Sequence, residues 1–310
     1  MDKDVRHMHS CPICGAIERF PLFATRDRHY GIPGQWTVAR CSRCAMVQLD
    51  PMPSSRDLMS LYPTNFYAYS DLAATQQGLL GTLKRWLFPT LYVNDPPFSK
   101  PGRVLDSGCG TGWSLLKFRD AGWDCVGVEP SVSASKFGRE RYGLDVREGT
   151  VHGAGFPDAH FDYIRSNHSL EHDPEAEATV QQFRRLIRPD GKLLIGVPNI
   201  DSAPGRWFGK YWWYLGAPVH TYNFSLQHLR RLLENNGFEV QTVRYAGNYG
   251  GIIGSLQIYM NRDNPKLVST DGWLINSAPM KVLGQMASAV LNALNLGDAI
   301  EIVARPKASK

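Results

Sequence analysis

The chain has 310 residues, 43% of them hydrophobic, with 34 Lys and Arg against 29 Asp and Glu and a formal net charge of +5. That apolar share excludes a disordered chain and supports a real core, and the length suits one domain of ordinary size plus a small accessory one. The mild positive charge neither demands nor excludes nucleic acid. No run of about eighteen apolar residues occurs, so no spanning helix is expected, and no charged-then-apolar leader opens the sequence, so a cytoplasmic protein is expected.

In chain order, the first feature is a pair of knuckles, Cys11-Pro-Ile-Cys14 and Cys41-Ser-Arg-Cys44. Two CxxC pairs let each pair of thiolates clamp one side of a tetrahedral ion, which fits a structural zinc ribbon with four cysteine ligands. Two disulfides or two redox centres are the alternatives. A reducing compartment disfavours the first, and the lack of a thioredoxin-type βαβ context disfavours the second. His7 and His9 lie close to the first knuckle, but a complete set of four cysteines leaves them no position, so they are expected at the surface. The stretch Leu49 to Ser70, with Pro51, Pro53 and Pro63, is expected to be a connector. An amphipathic helix is expected over Leu79–Val93, interrupted by Pro89, and Asp95-Pro96-Pro97 marks a boundary.

The densest signal follows at Arg103 to Pro130. The apolar strand Val104-Leu105 ends in Asp106 and runs into a turn containing Gly108, Gly110 and Gly112. A helix is expected from Trp113, with Gly122 as its left-handed cap, and a second strand from Asp124 to Val128 ends in Glu129. Glycines let a backbone pass close to a ligand, and the N–H groups of the next helix point over the turn. Two carboxylates, one before the turn and one about twenty residues on, point to a nucleoside-containing cofactor whose ribose hydroxyls Glu129 would accept.

The order Asp106-Ser-Gly108-Cys-Gly110-Thr-Gly112 resembles motif I of the class I S-adenosylmethionine-dependent methyltransferases. It is not the GxGxxG of a nicotinamide site, and an anionic Asp suits a cationic ammonium and sulfonium better than a pyrophosphate. The resemblance runs from Arg103 to Asn199, with a weaker echo to Gly237. It implies a doubly wound, mostly parallel seven-stranded α/β sheet of Rossmann-like type, with S-adenosylmethionine held by Asp106, Gly108, Gly110, Gly112 and Glu129. Strand three, Leu144 to Arg147, leads into Glu148-Gly149-Thr150, where the family makes its adenine contacts. Thr150 is assigned there, although the acidic residue common after that glycine is missing.

Strand four, Phe161 to Ser166, is followed by Asn167-His168-Ser169-Leu170-Glu171-His172. Ligands of a doubly wound sheet lie beyond the carboxyl ends of its strands, so this loop is expected to face the methyl donor. It resembles the H-x-L-E-H element of a subgroup that includes sugar and quinone-precursor methyltransferases. Asn167 is then the expected neighbour of the donor's amino-acid part, and His168, Glu171 and His172 are candidates for a base or for orienting the acceptor. The alternative is a helix start whose Glu171 and His172 satisfy backbone or cofactor groups.

Strand five is expected at Lys192 to Val197. The aromatic stretch Arg206 to Tyr214 then either packs as a lid or stacks on an acceptor. Ala217-Pro218-Val219-His220-Thr221-Tyr222-Asn223-Phe224-Ser225 resembles the stretch between strand five and the next helix in zinc-ribbon methyltransferases of glycan and natural-product pathways. On that likeness His220 is the first choice for an acceptor-side base, with a buried histidine bonded to backbone as the alternative. Ser225 is expected to cap a helix to Asn236, and a sixth strand is expected over Glu239–Tyr245. Inserted helices are expected at Gly250–Met260 and Met280–Leu296, before a last, antiparallel strand at Ala299–Ala304. The sparsely charged helix at 280–296 could pair two copies or rest on a membrane surface, and packing against the Gly250 segment is its default.

The sequence therefore divides into a ribbon and connector at 1–60, a helical cap at 61–100 and a methyltransferase domain at 101–310 with an insertion at about 250–296. The expected activity is methyl transfer from S-adenosylmethionine to a small or glycan-type acceptor, with a sugar hydroxyl favoured and either a monomer or a homodimer allowed. RNA methylation and a non-catalytic cofactor-binding scaffold are the rivals. Against RNA, the ribbon lacks a concentrated basic face and no N/D-P-P-[YF] tetrapeptide follows strand four.

Overall fold

Val104-Leu105, Tyr163-Ile164 and Leu193-Leu194-Ile195 are apolar runs without alternation, the pattern of strands covered on both faces. All seven residues are fully buried, and the three runs lie side by side in one sheet. The computed structural model describes residues 9–62, 95–264 and 269–308. The helix expected over Leu79–Val93, the connector from Pro63 to Ser70, and His7 lie outside the described residues.

The strands are β1 (Arg19–Thr25), β2 (Trp36–Cys41), β3 (Val47–Leu49), β4 (Arg103–Ser107), β5 (Asp124–Glu129), β6 (Asp145–Glu148), β7 (Phe161–Asn167), β8 (Ile187–Pro198), β9 (Tyr222–Asn223), β10 (Phe238–Tyr245) and β11 (Ala299–Pro306). The helices are α1 (Ser55–Ser60), α2 (Leu116–Asp120), α3 (Val132–Tyr142), α4 (Ala176–Leu186), α5 (Ala203–Phe208), α6 (Leu226–Asn235), α7 (Ser255–Met260), α8 (Trp273–Asn276) and α9 (Ala278–Ala293). The larger sheet has the order β6-β5-β4-β7-β8-β11-β10. Its first five strands in that order are parallel, and β11 is antiparallel to both β8 and β10. The strand order reverses at β4 and β7, where a doubly wound sheet opens its ligand crevice.

Helix faces follow from spacing. α4 buries Ala176, Thr179, Val180, Phe183 and Leu186, and α6 buries His228, Leu229, Leu232 and Leu233, each a single stripe at helical period. Hydroxyl caps set the starts: Ser131 accepts from the Ala134 N–H and Ser225 from the His228 N–H, satisfying donors that the helix itself cannot. Gly143 ends α3 in the left-handed conformation.

The smaller sheet, β1-β2-β3-β9, is antiparallel. Its fourth strand comes from Tyr222-Asn223, far along the chain, paired with Val47 and Gln48. The cysteine segment also leans on α6: the ring of His228 donates to the Cys44 carbonyl at 2.9 Å, and the Asn235 amide donates to the Ile13 carbonyl at 3.4 Å. Cys11, Ile13, Cys41 and Met46 share one apolar cluster with Phe224, Leu229 and the strands of the large sheet.

The insertion starts as a π-turn at Gly250–Gly254 that runs into α7, and α9 lays Gly284, Gln285 and Ser288 inward. Gly284 faces Ile253 and Tyr249, so α9 packs against the Gly250 segment. Among the described residues no helix is long and apolar enough to cross a membrane. Phe183 is completely buried under the sheet. Its replacement by Ala is expected to cost about 3–5 kcal/mol, read in urea denaturation as a lower midpoint with unchanged steepness.

Candidate active site

The turn after β4 has Gly108, Gly110 and Gly112 at φ of 72°, 57° and 76°, a left-handed conformation that costs a side-chain-bearing residue about 1–2 kcal/mol. Close packing adds to this at Gly108, where a Cβ would lie 2.0 Å from the Ser169 hydroxyl. The turn is thus held directly under the loop that follows β7. Glu129, at the end of β5, is tied to it: its two carboxylate oxygens accept from the backbone N–H groups of Gly110 and Ser131, each at 2.9 Å. Burial pushes the Glu129 carboxyl upward and those two bonds oppose the shift. Each oxygen retains a second lone pair for a hydroxyl donor.

Asp106 is buried beneath the turn. It accepts the Ser114 hydroxyl at 2.6 Å, and Arg165 approaches the same oxygen at 3.4 Å. Burial pushes its carboxyl upward, and the charge of Arg165 opposes this. Arg165, itself 1% exposed, also lies 3.6 Å from Asp95, which takes the Tyr163 hydroxyl at 2.7 Å and pairs with Lys117. Asp106 is therefore part of a charge-balanced cluster under the turn.

Thr150 is exposed in the turn after β6, next to Gly149, whose N–H donates to the Glu129 carbonyl at 3.0 Å. Asn167 closes β7, and Gly196 on β8 leaves it room: a Cβ there would come within 2.2 Å of the Asn167 side-chain oxygen. Asp106, the three glycines, Glu129, Thr150 and Asn167 thus lie along one rim, at the carboxyl ends of β4, β5, β6 and β7.

His168, Glu171, His172 and His220 are brought together beside that rim. His168 has φ of 52°, an uncommon conformation for a side-chain-bearing residue, held by its N–H to the Gly196 carbonyl at 2.8 Å. Its Nδ1 lies 3.3 Å from Glu171 Oε1, and its ring stacks on Tyr214 with centroids 6.4 Å apart. Burial lowers the His168 pKa, but the bond and charge of Glu171 outweigh this and raise it overall. His172 is pushed down to about 4 by burial, and His220 to about 3 by burial and by the neighbouring His172. Leu170–His172 is a single 3-10 turn and His172 Nδ1 donates to the Val219 carbonyl at 3.0 Å, so the helix-start alternative accounts for the backbone and for His172 but not for the Glu171 carboxylate.

The aromatic stretch divides. Trp212 is buried and donates to Asp298 at 2.7 Å, Trp207 is 66% exposed, and Tyr214 lines the His168 face. Sequence reasoning missed Arg165 and Asp95, and had Tyr214 only as one ring of the aromatic stretch. The one available signal was a charged residue in the middle of the apolar strand Tyr163-Ile164-Arg165.

In the N-terminal segment, the Cys11 and Cys44 sulfurs lie 3.4 Å apart and the Cys14 and Cys41 sulfurs 3.5 Å apart. All four lie within 4.8 Å of one another. Zn–S bonds of about 2.3 Å at tetrahedral angles place sulfurs about 3.8 Å apart, so the cluster fits a zinc ion. Burial pushes the Cys44 thiol up to about 11 and Cys11 higher still, so a cation is what would let four thiolates share this space. His9 is not among the clustered ligand atoms.

Residues 82–243 match the family described as "Methyltransferase domain". A Mycolicibacterium smegmatis protein named "Probable S-adenosylmethionine-dependent methyltransferase" is 31% identical over 140 residues, 44% of this chain and 52% of that protein. The demethylmenaquinone methyltransferase of Renibacterium salmoninarum is 32% identical over 118 residues, 37% of this chain and 48% of that enzyme. The chain thus spans about half the length of the curated relatives it matches. Among solved structures, the complex between the Haloferax volcanii Trm112 methyltransferase activator and its methyltransferase partner aligns with a TM-score of 0.51 at 16% identity, covering 73% of this chain and 91% of that one. That likeness shows a shared fold.

Two outcomes are expected from this geometry. Arg165→Met leaves the buried Asp106 carboxylate without its cation and Asp95 with Lys117 as its remaining cation, and is expected to destabilise by about 3–5 kcal/mol, with part of the loss recovered in an Arg165→Met, Asp95→Asn double variant; thermal unfolding measures both. In a ring-proton NMR titration without added divalent metal, His168 is expected to titrate above its ordinary value of about 6.5 and to fall back in Glu171→Gln. Because its folded pKa is raised, the stability this pair contributes is present below about pH 6.5 and fades as pH rises through the folded value.

Proposed function

The chain belongs to the methyltransferase domain family, and on that premise we propose that it transfers the methyl group of S-adenosylmethionine to a hydroxyl of a sugar or glycan-type small acceptor. The observation that carries this is the His168–Glu171 pair at 3.3 Å, set against the loop that covers the glycine turn. Bound S-adenosylmethionine supplies a methyl group already activated on a sulfonium. The glycine turn, Glu129 and Asn167 would hold it along the rim, with Glu129 accepting ribose hydroxyls.

In this reading Glu171 holds the His168 ring with Nδ1–H toward its carboxylate, so that Nε2 is a lone pair on the acceptor side. That Nε2 would take the proton of the acceptor hydroxyl as the bound donor methylates its oxygen. Glu171 makes His168 more basic than an ordinary imidazole, which suits this task. His220, the first choice from the sequence, is held near 3 and is a much weaker base, so the role moves to His168. Tyr214, lying at 26° to the His168 ring, offers an aromatic surface against which the apolar C–H face of a sugar ring can pack. The four-cysteine cluster would carry a structural zinc that secures the ribbon on α6 and does no chemistry.

The test is transfer of labelled methyl to a panel of nucleotide sugars, glycans and RNA. Transfer to a hydroxylated sugar acceptor is expected, with His168→Gln lowering kcat by about 10²–10⁴ while donor binding is kept. Transfer to RNA alone, or a His168→Gln rate equal to wild type, would contradict the proposal.

A further inference from the structure

We propose that Glu171, His172 and His220 form a site for one divalent first-row transition-metal ion, distinct from the four-cysteine cluster. One ligand atom from each of the three residues lies within 4.8 Å of the others. His172 Nε2 is 4.0 Å from Glu171 Oε1, and the two imidazoles meet edge to face with centroids 4.6 Å apart. Closing these atoms onto an ion at about 2.0–2.2 Å requires a contraction of the order of 1 Å, which side-chain rotation supplies.

The tautomers suit ligation. His220 Nδ1 lies 2.9 Å from the Tyr214 carbonyl, and His172 Nδ1 lies 3.0 Å from the Val219 carbonyl. A carbonyl only accepts, so both rings carry the proton on Nδ1 and the lone pair on Nε2. The Tyr62 hydroxyl, 2.8 Å from His172 Nδ1, shares that proton as a second acceptor. A backbone carbonyl holding the far nitrogen is the usual arrangement of a metal-binding histidine.

The carboxylate supplies an independent observation. Glu171 is 1% exposed, and apart from the approach of His168 Nδ1 to one of them at 3.3 Å its side-chain oxygens have no hydrogen-bond partner among the described residues. A buried carboxylate left this way is costly, and a cation beside it removes the cost. The backbone is fixed to match: the Thr221 N–H and hydroxyl donate to the Glu171 carbonyl at 2.8 and 3.0 Å, binding the segment of His220 to that of Glu171 and His172.

Two imidazoles and one carboxylate leave coordination positions open and suit Zn²⁺, Mn²⁺, Fe²⁺ or Co²⁺. If the hydroxyl-methylation reading holds, on which this further role rests, an acceptor oxygen takes one of those positions beside His168 and becomes easier to deprotonate.

The test uses full-length protein with zinc in the cysteine cluster, dialysed against a chelator mild enough to leave that zinc, and titrated with Mn²⁺ alone. Loss of the free Mn²⁺ electron paramagnetic resonance signal counts bound ions. One bound equivalent is expected in wild type, weakened at least tenfold in Glu171→Gln and in His220→Gln, with Mn²⁺ raising the melting temperature of wild type but of neither variant. A second, chelator-resistant zinc that is present in wild type and missing from Glu171→Gln would support the site equally. No bound equivalent in wild type with only one zinc per chain, or binding that both folded variants retain, would overturn it. Mn²⁺ binding without transfer to any hydroxyl would keep the site and sink the hydroxyl reading, whereas hydroxyl methylation by protein that binds no second ion would do the reverse.

Discussion

Arg165 is a full positive charge at the centre of a sheet, 1% exposed, and the crevice side of the fold is arranged around its neutralisation. The guanidinium sits on β7 and reaches Asp106 on β4 and Asp95 ahead of it. A buried charge of this kind is tolerated only with partners in place, so these segments are fixed relative to one another. Asp106 in turn holds Ser114 and so anchors the segment that leaves the glycine turn. The sharp turn, with three glycines in the left-handed region, therefore rests on an ionic base as well as on the apolar packing of Cys109 and Leu115. Glu129 ties the same turn to β5 through Gly110.

The second organising constraint is the segment 213–225. It supplies Tyr214 to the face of His168, His220 to the cluster around Glu171, and Tyr222-Asn223 as an edge strand to the ribbon sheet. Ser225 then opens α6, whose His228 donates to the carbonyl of Cys44. A continuous chain of contacts therefore runs from the cysteine cluster through α6 and β9 to the histidines. The ribbon thereby braces the histidine side of the crevice, which gives a small accessory unit a physical reason to be there.

The large sheet was legible because its signals are local. Uninterrupted apolar strands, left-handed glycines and hydroxyl caps each act within a few residues, so a mostly parallel sheet, its antiparallel last strand and the inserted helices could be anticipated to within about three residues. Cys11, Cys14, Cys41 and Cys44 were legible for the same reason, their spacing being the chemistry. The two-residue strand Tyr222–Asn223 was not, because it exists only through pairing with Val47 and Gln48 and has no periodicity of its own. The histidines were found as a set, but their order of basicity was hidden. His220 has the more suggestive sequence neighbours, yet burial beside His172 holds it near 3, while Glu171 raises His168. Arg165 was overlooked because one charge in an apolar strand carries no sign of the two carboxylates that meet it.

The central claim is that the rim formed by the glycine turn and Glu129 holds S-adenosylmethionine. Calorimetric titration of wild type and Glu129→Ala with that compound tests it most directly, with circular dichroism confirming that both are folded. The account predicts micromolar binding at one site per chain in wild type and loss of most of it in the variant. Folded wild type that takes up no S-adenosylmethionine, or a Glu129→Ala variant that binds as tightly as wild type, would contradict it.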